Sequence, residues 1–139
     1  MGGEQELSTT ILVVDDEPPV RRFIVRALTR GGYHVIEADG ARAAKKFVQF
    51  GSDPIRLIVC DIRMPEINGL DFANELAILG LDLPILYVSG LAGSAVVEGI
   101  AKSNPQVILV KPFSADELLT RVQHMLKGRA LAPARPAQP

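Results

Sequence analysis

The chain has a single cysteine, Cys60, no tryptophan, and only two Tyr and five Phe. A lone cysteine excludes an internal disulfide and any multi-cysteine metal site, and fits a reducing compartment. No apolar run approaches the roughly 18 residues that cross a bilayer. The opening MGGEQELSTT lacks the basic and apolar regions of a signal peptide. It begins Met-Gly, but Glu6 stands where a myristoylation signal wants Ser or Thr. Charge of one sign is missing too: 15 Lys and Arg against 16 Asp and Glu leave a formal charge of −1. That excludes nucleic-acid binding through a general basic surface. What is present is apolar material, 47% of 139 residues. This suffices for a sizeable core and argues against both disorder and a disulfide-stapled miniprotein. At roughly 150 residues per domain, the expectation is one soluble, cytoplasmic domain with no membrane association.

Five short apolar runs stand out: Ile11–Val14, Val35–Ile36, Leu57–Cys60, Ile85–Val88 and Val107–Val110. They are continuous rather than alternating, as strands buried on both faces are. Helical spacing separates them. Val20–Arg30 aligns Val20, Phe23, Ile24, Ala27 and Leu28, with Pro18 and Pro19 suited to a first turn and Gly31-Gly32 to a stop. Ala41–Phe50 and Gly69–Leu79 repeat the pattern. Ala92–Lys102 is the weakest helix, with Gly93 and Gly99 inside it, and is expected to be the most mobile. Ser114 and Glu117 form a capping box for Asp116–Lys127. Five β-α repeats predict an α/β fold, a doubly wound parallel five-stranded sheet; in the expected flavodoxin-like order 2-1-3-4-5 the strand order reverses between the first and third strands. The expected organisation is a flexible segment over 1–9, one domain over 10–128, and a disordered Ala/Pro-rich tail or linker over 129–139.

Polar residues at the strand ends carry the chemistry. The first run ends in Asp15-Asp16, the third in Asp61, the fourth in Ser89 and the fifth in Lys111. In an open α/β sheet the ligand site lies at that edge, where strand order reverses. Three carboxylates gathered there repel one another and raise at least one pKa unless a cation joins them. Oxygen-only ligands favour Mg²⁺, with Mn²⁺ as the alternative. Lys111 and Ser89 suit phosphate oxygens. The set fits a carboxylate attacking phosphorus while cations hold the developing charge.

VVDDE at 13–17, DIRMPEING at 61–69, VSG at 88–90 and KPF at 111–113 together resemble the receiver domain of two-component response regulators, over roughly Thr10 to Lys127. The resemblance implies that Asp61 accepts a phosphoryl group from a phosphohistidine on a sensor histidine kinase or histidine phosphotransfer protein. Asp16 and Asp61 would bind Mg²⁺ through their side chains, joined by the backbone carbonyl of Arg63, and Asp15 would support the ion largely through water. Ser89 and Lys111 would contact the phosphoryl oxygens, and the Lys111-Pro112 bond would be cis. Such a protein assists only its own phosphorylation and dephosphorylation, so it is not expected to be an enzyme. It signals by protein contact, as a monomer or a phosphorylation-dependent dimer, without binding nucleic acid directly.

Two features depart from the family pattern. Ile108 stands where receivers carry a switching Tyr or Phe, and Tyr87 is a candidate substitute or a core residue. Arg63 and Leu91 occupy the positions that influence loss of the phosphoryl group. Neither positions water well, so a persistent phosphorylated state is expected.

Plainer readings apply elsewhere. Cys60, inside an apolar run, reads as a buried inert thiol, and His124 as a surface residue. Arg21, Arg22 and Arg26 read as a solvated face or, by the resemblance, as part of a kinase-docking surface on the first helix. A haloacid-dehalogenase-type hydrolase needs an acid two residues after its nucleophile, where this chain has Arg63. No P-loop run is present. The alternatives kept are a phosphorylation-independent pseudo-receiver and a receiver segment of a hybrid kinase. No output domain is expected after Lys127.

Overall fold

Strands buried on both faces need apolar side chains at every position, which Ile11–Val14 and Leu57–Cys60 supply, whereas the edge strand His34–Ala38 leaves His34 and Glu37 exposed. The computed structural model describes residues 8–90, 94–103 and 107–131. Its strands are β1 (Thr10–Val14), β2 (His34–Ala38), β3 (Ile55–Asp61), β4 (Ile85–Ser89) and β5 (Ile108–Val110). The helices are α1 (Pro18–Arg30), α2 (Ala41–Phe50), α3 (Gly69–Ile78), α4 (Ala95–Ser103) and α5 (Ala115–Leu131). All strand pairs are parallel, as the alternation of elements predicts, and they lie in the expected order β2-β1-β3-β4-β5.

Successive side chains on a strand point to opposite faces, and the core divides accordingly. Ile11, Val13, Leu57, Val59, Leu86 and Val88 face Ile24, Ala27 and Leu28 of α1 and Leu118 and Val122 of α5. Leu12, Val14, Ile58 and Cys60 face Ala41 and Ala44 of α2 and Phe72 and Leu76 of α3. Val97 of α4 closes a smaller cluster with Ile62 and Ile108. Phe72 is fully buried, and truncating it to Ala would cost about 3–5 kcal/mol.

Helix ends follow local chemistry. Pro18 opens α1, and Gly32 takes φ +95° just beyond it, the left-handed turn that a Cβ would oppose. At α5 the capping box forms as the sequence predicts: Glu117 N–H donates to Ser114 Oγ (3.0 Å), and Ser114 N–H to Glu117 Oε1 (2.8 Å). Asn68 caps α3 by accepting from Asp71 N–H at 2.8 Å, a signal the hydrophobic pattern does not carry.

Two boundaries differ from expectation. α4 begins at Ala95, where Ser94 Oγ accepts the Val97 N–H, whereas Leu91–Gly93 lie outside the described residues. α5 runs to Leu131 rather than stopping at Lys127, so Arg129–Leu131 extend a helix instead of beginning the linker. The helix passes the unfavourable Gly128 because Arg, Ala and Leu are good helix formers and the first proline, Pro133, comes later. Residues 1–7 and 132–139, parts of the two expected flexible ends, lie outside the described residues.

Candidate functional site

The site is a consequence of register. Val14 of β1 pairs with Cys60 of β3, so the next residues, Asp15 and Asp61, emerge side by side at the carboxyl edge. This is the point where strand order reverses. Asp15, Asp16 and Asp61 each bring a carboxylate oxygen within 4.8 Å of the others. Asp15 is 1% exposed and Asp61 5%, so water screens their repulsion poorly.

Asp15 Oδ1 accepts the Glu17 N–H at 2.9 Å. Its Oδ2 is buried without a hydrogen-bond partner. Burial, reinforced by the Asp61 charge and opposed by the Glu17 N–H, pushes the Asp15 carboxyl up to about 6. Burial also raises Asp61, against the pull of Lys111 and of the Arg63 N–H, which donates to Asp61 Oδ1 at 3.1 Å. A buried orphan oxygen among clustered carboxylates is an unmet demand for positive charge. The all-oxygen donor set suits a hard divalent cation.

Lys111 follows β5 directly. Its Nζ lies 3.5 Å from Asp61 Oδ2 and 3.4 Å from Glu17 Oε1. Burial alone would lower its pKa, but Asp61, Asp15 and Glu17 together hold it above the ordinary lysine value. The ammonium is therefore charged at the pocket wall. Lys111 N–H donates to the Ser89 carbonyl at 2.7 Å, which joins the ends of β5 and β4. Ser89 itself is 1% exposed. The Lys111-Pro112 peptide is cis. Arg63 is exposed and meets Asp61 through its backbone.

The structure thus gathers the three aspartates and Lys111, and places Ser89 on the adjoining strand end. It adds two residues to which motif reading gave no role there. Glu17 shares Lys111 with Asp61; its only trace in the sequence is its place in the acidic run. Arg21 is neither a solvated face nor a free docking charge. Only 19% of its side chain is exposed, and it binds Glu37 Oε1 through Nε at 3.1 Å and the Asp15 carbonyl through Nη1 at 2.6 Å. Arg22 and Arg26 are exposed.

Ile108 is buried against Ile62 and Val97, and Tyr87, its register partner on β4, packs against the same cluster. Burial pushes the Tyr87 phenol up to about 12. Cys60 is buried, and its surroundings raise its thiol pKa. Leu91 lies outside the described residues.

Comparison with known proteins decides the family. The model of the response regulator receiver domain matches residues 11–123.

The chain belongs to the response regulator receiver family.

It is 33% identical over 116 residues to the response regulator receiver protein CpdR of Brucella abortus, across 84% of this chain and 95% of that one. It is 36% identical over 121 residues to the sensor kinase CckA of the same organism, across 86% of this chain and 13% of the kinase. The chain spans about half the length of other curated relatives. A Francisella response regulator receiver domain superposes with a TM-score of 0.76 at 26% identity, covering 88% of this chain and 99% of that one. The receiver assignment places the chain in two-component signalling, among modules that interact with histidine kinases or phosphotransfer proteins. Among the described residues, no helix is long and apolar enough to cross a membrane.

Proposed function

We propose that this receiver takes a phosphoryl group from a phosphohistidine onto Asp61 and passes the signal on by protein contact. The observation that carries the reading is a buried carboxylate with a charged ammonium 3.5 Å away and two further carboxylates beside it. The Asp61 carboxylate attacks phosphorus, an O–P bond forms, and the N–P bond of the phosphohistidine breaks. The electron pair returns to the imidazole nitrogen, which takes up a proton. Lys111 holds charge developing on the phosphoryl oxygens, and the Ser89 hydroxyl donates to another of them. Hydrolysis later adds water at phosphorus, releases phosphate and restores the carboxylate. No separate substrate turns over, so the protein is a signalling module rather than an enzyme.

Asp15, Asp16 and Asp61 would hold Mg²⁺, or Mn²⁺ in its place, together with the Arg63 carbonyl. A bound cation offsets the negative charge that the pocket and the phosphoryl group bring together. The fit rests on the unpartnered Asp15 Oδ2 and the all-oxygen donor set.

Docking by the phosphodonor involves α1. Phe23 is 42% exposed and lies against Phe113, with ring centroids 6.0 Å apart. Phe113 follows Lys111 and Pro112 in sequence, so an apolar contact there adjoins the pocket, with the exposed Arg22 and Arg26 on the same helix. The working unit runs from Thr10 through α5, in a cytoplasmic setting. Incubation with acetyl phosphate and Mg²⁺ followed by a phosphate-affinity gel tests the reading. A shifted band lost in Asp61→Asn is expected; no band, or one surviving that substitution, would overturn it.

A further inference from the structure

We propose that Arg21 is a positioning residue for the cation site, acting through the main chain of Asp15 with Glu37 as its anchor. The inference rests on the divalent-cation reading of the acidic pocket.

Asp15 is the most buried of the three carboxylates, and its backbone is held on both sides. Its N–H donates to the Ala38 carbonyl at 3.2 Å, tying it to the end of β2. Its carbonyl accepts Arg21 Nη1 at 2.6 Å. Arg21 Nε reaches Glu37 Oε1 at 3.1 Å, and Glu37 lies on β2 in register with Val13. Arg21 N–H in turn donates to the Glu17 carbonyl at 2.9 Å, so the guanidinium rises from the first turn of α1. One planar side chain therefore links the end of β1, the start of α1 and the end of β2. These are the elements that flank Asp15 and Asp16.

Lysine has no second donor group in a fixed plane, so it cannot span both partners as the guanidinium fork does. The purpose of such a clamp follows from the cost of the site. Three carboxylates drawn within 4.8 Å repel one another, and the Asp15-Asp16 turn is where that repulsion can be relieved by swinging apart. Holding the Asp15 peptide from behind keeps its side chain in place before a cation arrives. Outer partners that orient metal ligands typically account for 10–100-fold in affinity. The Arg21 contact reaches Asp15 through a carbonyl rather than a carboxylate, so it fixes position without neutralising the ligand. That separates it from Lys111, which pairs with Asp61 directly.

The test measures Mg²⁺ affinity by calorimetric titration of the full chain. Mn²⁺ binding by electron paramagnetic resonance runs in parallel, and thermal midpoints are taken in EDTA. The variants are Arg21→Lys, Arg21→Met, Glu37→Gln and the Arg21→Met/Glu37→Gln pair, with Asp16→Asn as the ligand control. Arg21→Met should weaken Mg²⁺ affinity about tenfold, Arg21→Lys should recover only part of it, and Glu37→Gln should lose less in the same direction. The double variant should lose no more than Arg21→Met alone, because Glu37 acts only through Arg21. Glu37→Gln removes an exposed charge and keeps the fold measurable should Arg21→Met unfold. Lower midpoints in EDTA with unchanged Mg²⁺ affinity would make the contact merely structural and overturn the proposal. Strictly additive losses would overturn the anchor role of Glu37. If the unsubstituted chain binds no Mg²⁺, or Asp16→Asn binds it equally well, the cation reading fails first and this inference with it.

Discussion

Lys111 Nζ stands between two carboxylates, 3.5 Å from Asp61 Oδ2 and 3.4 Å from Glu17 Oε1. It is a charged group held at the mouth of the pocket beside the proposed phosphoacceptor. Phosphoryl incorporation from acetyl phosphate should therefore fall on the order of 10²-fold in Lys111→Ala, the usual loss when one donor to a developing oxyanion is removed. Lys111→Arg should not restore the rate, because a planar fork does not replace a compact ammonium. Stopped time points on a phosphate-affinity gel measure both.

Proton competition should govern cation binding. The Asp15 carboxyl, pushed up to about 6 by burial together with the Asp61 charge, must lose its proton before it supports the cation. Mg²⁺ affinity should fall as pH drops through 6. The sign for stability without metal is the opposite of a normal salt bridge. A carboxyl with a raised folded pKa binds more protons folded than unfolded between its ordinary value of 3.8 and about 6. Its stabilising contribution is full below that window and is lost as pH rises through it. The thermal midpoint in EDTA should decline across this range, and the gain from adding Mg²⁺ should be larger at neutral pH than at pH 5. Calorimetric scans with and without Mg²⁺ read out both trends.

Two glycines should respond in opposite ways to alanine. A Cβ at Gly69 would lie 2.5 Å from the Asp61 carbonyl oxygen, a backbone atom of the site's central residue. Gly69→Ala should both lower the midpoint and reduce phosphoryl incorporation. A Cβ at Gly99, inside α4, meets open space. Gly99→Ala should stabilise the protein by about 0.5–1 kcal/mol through helix propensity. Urea unfolding of the two variants gives the comparison.

Ser114→Ala should cost about 0.5–2 kcal/mol by removing the cap of α5. Asp61 is untouched by that change, so Mg²⁺ affinity should hold. Denaturant midpoints and Mg²⁺ titrations on the same variant separate stability from site integrity.

These outcomes draw on different depths of legibility in the sequence. The parallel sheet and the gathering of Asp15, Asp16, Asp61 and Lys111 at one edge are readable because each polar residue directly follows an apolar run. In a parallel sheet, that places it at one edge. The α5 cap was readable from Ser114 and Glu117, a signal confined to four residues. The role of Arg21 was not, because its partners Glu37 and the Asp15 carbonyl come together only through β1–β2 pairing. Motif spacing cannot see a contact with a main-chain atom. The sharing of Lys111 with Glu17 was hidden for the same reason: 94 residues separate them in sequence. The end of α5 is hidden by the prolines of the tail, which suggest an early stop, while helix propensity carries the chain on to Leu131.

In the proposed mechanism Asp61 carries the phosphoryl group. Borohydride reduction of the protein after incubation with acetyl phosphate and Mg²⁺, followed by peptide mass spectrometry, tests it directly. Reduction turns an aspartyl acyl phosphate into homoserine. Homoserine is expected at position 61, dependent on Mg²⁺ and absent from protein never exposed to the phosphodonor. Homoserine at position 15 or 16 instead, or none at position 61 in protein shown to bind Mg²⁺, would contradict it.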